Sequence, residues 1–401
     1  MVAGWLYMQG YWDGVLGGRA VLEGPPAAGE PAPRASDRAQ PRASAPAASE
    51  PQALPRARKA EPAAVEGSLS GIAARRRAYG DAVRVFNSGD YRKALDLFED
   101  LAPDDRKALV GLGLSKFKLG DYQGAIESLE GSIGQGGEED FLARKFLAFS
   151  YYQEDDLQKS LRYAQEGLGL RRDPELQSLY DRLRRETAAE RDYIEEETLH
   201  FKVLFDGYAH GGLSRKVISI LNDAYRTIGG SLNYFPDRPV TVILYTERDF
   251  FDITRASGWA GGLYDGKIRV PVRSVEGREE ALRRVLFHEY AHSLVYSITP
   301  RCPRWVNEGL AEYFSGAQRS RGRGHEMPLS SLESSFPATR LAAAAAYGES
   351  HRAVSYLIDR YGLYAMKDFL VRLGRGEGRD RAFSSAFMVS YGEFLSEWDG
   401  I

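Results

Sequence analysis

Cysteine is almost missing from this chain: Cys302 stands alone among 401 residues. An intrachain disulfide framework is therefore excluded. With no second cysteine at ligand spacing, Cys302 reads as a small buried filler. An excess of one charge sign is missing too. The 53 basic and 56 acidic residues leave a net charge of -3, which gives no reason to expect nucleic acid or an acidic partner. Residues 1–22 carry Trp5, Tyr7, Tyr11 and Trp12 among apolar residues, with no charge before Asp13. The stretch is too short to span a membrane and lacks the basic start and small-residue cleavage site of a signal peptide. From Gly24 to Glu66 large apolar residues are scarce and nine of the 18 prolines fall, so this segment reads as a semi-extended, disordered linker. Together the two stretches read either as the interfacial end of a membrane anchor whose upstream part is missing, with a tether behind it, or as a disordered apolar tail. The whole chain, 43% apolar and 27% charged, has the balance of a globular protein long enough for two or three domains.

What is present begins with a repeat. Gly89-Asp90-Tyr91-Arg92-Lys93-Ala94-Leu95 recurs as Gly120-Asp121-Tyr122-Gln123-Gly124-Ala125-Ile126, and more loosely as Asp155-Asp156-Leu157-Gln158-Lys159-Ser160-Leu161. The intervals of 31 and 35 residues bracket the tetratricopeptide period of about 34. The region resembles a short tetratricopeptide array of about three repeats, with Ser160 standing where the other two have a small alanine. Helices are expected over 73–88, 92–101, 105–119, 123–133, 140–153 and 157–169, and Pro174–Glu197 is expected as a terminal capping helix. Such arrays offer a concave surface to a peptide or protein partner. The plainer alternative is a packed helical spacer.

The pattern changes at Leu199. His200 to Phe205 alternates like a strand, Ser214 to Leu232 has helical spacing, and Val240 to Tyr245 reads as a buried strand. A helix near Arg248–Ala256 is followed by Gly261 to Pro271, a glycine-opened hairpin or edge strand. Pro271 donates nothing to a ladder and so favours an edge or a strand end. Next comes a helix-length apolar run, Glu279–Ile298, containing His288-Glu289-Tyr290-Ala291-His292. The two histidines lie one turn apart and share a face, so both imidazoles can hold one metal ion, with Glu289 beside it to take a proton from water. A third ligand is needed. Pro303 suits the opening of a further helix on which Glu308 and Glu312 lie one turn apart, one for the metal and one behind it against a histidine's second ring nitrogen. Either carboxylate is a candidate for the third position. After it, an Arg-Gly-rich loop, Arg319–His325, is expected near the site mouth. A helix running to Tyr361 before Gly362 and three closing helices complete the pattern.

Asn307-Glu308-Gly309-Leu310-Ala311-Glu312 following His288-Glu289-Tyr290-Ala291-His292 is similar to the gluzincin peptidases. Residues 199–398 resemble the compact bacterial peptidase MA-like domains that often sit behind tetratricopeptide repeats. The connection of 15 residues between His292 and Glu308 is shorter than in the larger members of that clan. The resemblance implies an α+β chain: an all-α solenoid followed by a small zincin-like domain, a mixed sheet with an edge strand plus active-site helices. The expected division is 1–70 linker, 71–197 repeats and 198–401 metallopeptidase domain. It implies Zn2+ held by His288, His292 and Glu308, Glu289 as general base and Glu312 as supporting carboxylate. Tyr347 is the first candidate for an oxyanion donor and His351 the second, while Gly261 and Gly262 are candidates for substrate contact along the edge strand. The expected function is a zinc-dependent peptidase acting on a peptide or protein substrate, tethered at a bacterial cell envelope and directed by its repeats. The competing expectation is an inactive or restrained scaffold that works through those repeats.

Overall fold

The computed structural model describes residues 62–399, except 104, 135, 257–259, 273–277, 318–326, 334–335 and 338. The aromatic start, most of the proline-rich linker and the Arg319–His325 stretch lie outside the described residues. Two compact units are present, one ending at Arg171 and one running from Arg172. No described helix is long and apolar enough to cross a membrane.

The first unit is all helix: α1 (Pro62–Asn87), α2 (Tyr91–Leu101), α3 (Arg106–Lys118), α4 (Tyr122–Ser132), α5 (Gly137–Gln153) and α6 (Leu157–Leu170). The recurring sequence motif is the turn within each pair. Gly89 and Gly120 sit at φ 87° and 83°, in the left-handed region, and Asp155 takes the same conformation at φ 64° in the third turn. The next residue caps the following helix: Asp90 accepts from the Lys93 amide at 3.2 Å, Asp121 from Gly124 at 2.9 Å and Asp156 from Lys159 at 3.0 Å. Ala94, Ala125 and Ser160 are all fully buried at the equivalent helix position. Ser160 tolerates burial because its hydroxyl donates to the Ala148 carbonyl at 2.7 Å.

The second unit opens with α7 (Pro174–Glu190). It continues with β1 (Tyr193–Glu197), β2 (Phe201–Asp206), α8 (Gly207–Ala224, extended through a π turn to Leu232), β3 (Val240–Tyr245), α9 (Glu247–Thr254), β4 (Leu263–Tyr264) and β5 (Ile268–Pro271). The five strands form one mixed sheet in the order β1-β2-β3-β5-β4, with β2, β3 and β5 parallel and the outer strands antiparallel. Register aligns the inward side chains in rows, such as Phe205↔Leu244 and Leu244↔Val270. These rows pack against α8 and the helix α10 (Glu279–Ile298) in one core. A second core is built by α11 (Arg304–Phe314), α12 (Arg340–Gly374), α13 (Arg379–Phe387) and α14 (Tyr391–Asp399). Gly362, at φ 82° and ψ 159°, breaks α12 where the sequence placed its stop.

One expectation needs correction. Pro174–Glu197 is not one capping helix: it ends at Glu190, and Tyr193–Glu197 pairs with β2 as an edge strand. The charged spacing of Arg182 and Glu186 looks like a solvated i,i+4 pair. In the fold both are buried against the sheet face opposite α10. The expected hairpin over Gly261–Pro271 is present, with β4 at the edge of the sheet. β5 lies inside the sheet between β3 and β4, and Pro271 closes its end.

Candidate metal centre

Helix α10 is buried without a break from Val285 to Val295, with Leu282, Leu286 and Leu294 in the sheet core and Val295 in the helical core. The histidine pair thus sits at the seam between two cores. The pairs His288 with Glu312 and His292 with Glu308 have the constant index sum of two antiparallel helices, so one turn on α10 meets one turn on α11. Gly309 lets α11 sit where it does: a Cβ there would stand 2.4 Å from the Ser350 carbonyl oxygen of α12. The glycine beside Glu308 is therefore a packing requirement that fixes where Glu308 points.

Three donor atoms converge. His288 Nε2 and His292 Nε2 are 3.1 Å apart, and Glu308 Oε2 lies 3.7 and 3.5 Å from them. Both second ring nitrogens face acceptors: His288 Nδ1 stands 3.3 Å from Glu312 Oε1, and His292 Nδ1 stands 3.0 Å from Asn307 Oδ1. In the neutral rings those acceptors place the protons on Nδ1 and turn both Nε2 lone pairs toward one point. Glu308 Oε2 is buried with no hydrogen-bond partner. A buried carboxylate oxygen left so costs about 1–3 kcal/mol, and here it faces the two Nε2 atoms, a geometry that suits a cation between the three. His288, His292 and Glu308 can together hold a metal ion.

The electrostatics agree. Burial alone would lower the His288 pKa, but Glu308 and Glu312 outweigh it and hold the ring at about 10. Burial would raise Glu308, yet His292 and His288 draw it down to about 2. The pocket is thus rich in negative charge and gathers a cation, a proton if nothing else. Glu289 is buried, and burial lifts its carboxyl above the ordinary range against the pull of the two histidines. Its neighbour on the sheet side is Gly262, where a Cβ would lie 2.9 Å from Glu289 Oε1 and 2.8 Å from Val285 Cγ1. Gly261 leads into the same edge strand.

Tyr347 packs its ring 6.1 Å, centroid to centroid, from the His288 ring. Burial first, then Glu308, Glu312 and Glu289, keep its phenol protonated far up the scale, so it remains a donor. His351 is buried one turn further along α12. Glu349 faces elsewhere, pairing with Arg352 and accepting from Trp398 Nε1 at 2.6 Å. His200 stacks on Tyr225 at 3.8 Å and is not in the cluster, and the His210 side chain and His325 lie outside the described residues. Sequence reasoning missed Asn307 as the group that orients His292. Its position next to Glu308 was the available signal, since a helix that presents one residue to a ligand presents its neighbour to the ligand's flank.

A family model described as the Peptidase MA superfamily matches residues 233–400. It supports a zincin-like peptidase domain over that span, which holds every residue of the cluster. No curated protein matches the chain.

Proposed function

We propose that this protein is a zinc-dependent peptidase in which His288, His292 and Glu308 hold the metal and Glu289 is the general base. The observation that carries the reading is the convergence of the three buried donors with Glu289 beside them. Their separations of 3.1, 3.5 and 3.7 Å suit zinc, because ligands at tetrahedral zinc stand about 3.3 Å from one another. Two imidazoles and one carboxylate leave a fourth position open, the donor set of a hydrolytic rather than a structural site.

A bound zinc ion supplies Lewis acidity at the scissile carbonyl and makes water acidic enough to lose a proton near neutral pH. The remaining work falls to the chain. Glu289 takes the proton from the attacking water and returns it to the leaving amine. Its raised carboxyl pKa suits a group that must do both. Tyr347 donates to the oxygen on which charge develops. Glu312 and Asn307 hold the two rings in register, and Gly262 leaves the edge of the sheet free of a side chain next to Glu289. The helical unit is a tetratricopeptide-type array that recruits a protein substrate or partner, a reading supported by its three recurring capped turns.

The decisive experiment is Glu289→Gln in the full chain. Metal content by elemental analysis stays at one ion per chain, while cleavage of a peptide library falls by about a thousandfold. Wild-type protein without stoichiometric zinc, or a variant that cleaves at the wild-type rate, overturns the proposal.

A further inference from the structure

On the sheet face away from the metal cluster, α7 meets the β4–β5 hairpin through buried charge. Asp265, at the hairpin tip and 4% exposed, is held by Arg182 of α7 and by Arg269 Nε at 2.9 Å. Arg269 reaches Glu186 of α7 at 3.1 Å and donates to the Tyr245 hydroxyl at 2.6 Å, and that hydroxyl donates to Glu190. With Lys267 the group counts three cations and three anions, so its charge is balanced within the protein and it offers no ligand site.

The outer strand of the hairpin needs such an anchor. β5 is held by β3, but β4 is joined to β5 only through Leu263↔Arg269 and Tyr264↔Ile268, and a ladder that short is marginal alone. One end of its first strand carries Gly262, pressed against Glu289 and Val285, and the other end carries Asp265, three residues on. We infer that Arg182 is a positioning residue: by gripping Asp265 it sets where the β4 edge lies and so fixes the wall against which the Glu289 carboxylate rests. This rests on the peptidase reading above, and it makes α7, which precedes the matched span, part of the working domain.

The test uses the full chain with zinc bound. Arg182→Met is expected to keep one zinc per chain, to speed amide hydrogen exchange over residues 260–271 while leaving α10 protected, and to lower kcat for a cleaved peptide by about ten- to a hundredfold. Arg182→Lys, which retains the charge, recovers part of both effects. Should Arg182→Met fail to fold, Asp265→Asn keeps the volume, weakens the same grip and is read in the same way. If either folded variant merely melts earlier, with hairpin exchange and kcat at wild-type values, the role is structural only and the inference is wrong. Should the wild type cleave no peptide, the peptidase reading fails on that result alone. The grip of Arg182 on the hairpin is then still decided by the exchange measurement.

Discussion

Two clusters of buried polar groups flank the sheet of the second unit, and they are built on opposite rules. Around Arg269, cations and anions are equal in number and bond to one another, so the cluster is neutral as protein. Around His288, carboxylates face imidazoles whose Nδ1 atoms already face acceptors, and the two Nε2 atoms and a Glu308 oxygen converge with no fixed cation among them. The first cluster holds elements together. The second gathers a cation and could hold a metal ion.

The largest effect that separates them is on stability. Glu186→Gln strips the first cluster of a buried charge and should cost about 3–5 kcal/mol in denaturant unfolding while zinc stoichiometry stays at one; loss of the metal would mean that the clusters are not independent. The same variant has a pH signature. Burial works to raise the Glu186 pKa, but Arg269, Arg182 and Lys267 outweigh it and hold it at about 2, against an ordinary 4.5. A depressed folded-state pKa gives stability that is present above about 4.5 and is lost as pH falls toward about 2. The melting temperature of the wild type should therefore drop through that window, and the variant, already lower at neutral pH, should drop less.

Asn307→Ala addresses the second cluster. It removes the acceptor that orients His292, and competition with a chelator should show zinc affinity reduced by about ten- to a hundredfold with little change in the apo-protein's melting temperature. An unchanged affinity would mean that His292 holds its tautomer without Asn307. The smallest effect is expected far from either cluster, in the helical unit. There Asp121→Ala loses one helix cap, with a cost of about 1 kcal/mol by denaturant titration and no change in zinc binding.

Much of this was legible in the chain. The repeated Gly-Asp turn announced the helical pairs because a left-handed residue followed by a capping aspartate is a local requirement, met within seven residues. His288, Glu289 and His292 were legible because helix geometry alone puts residues four apart on one face. Glu308 and Glu312 could be nominated by the same spacing. Which carboxylate meets the Nε2 atoms and which meets Nδ1 depended on the depth to which α11 sinks at Gly309, a tertiary contact with α12. The role of α7 was hidden for a similar reason. Arg182 and Glu186 carry the spacing of a surface ion pair, and only burial against Asp265 and Arg269, 83 residues away in the chain, turns them into an anchor. Residue order alone carries the motifs whose logic closes within one helix or one turn. The atoms that meet across elements are fixed only on folding, because their distances are set by packing that no local spacing encodes.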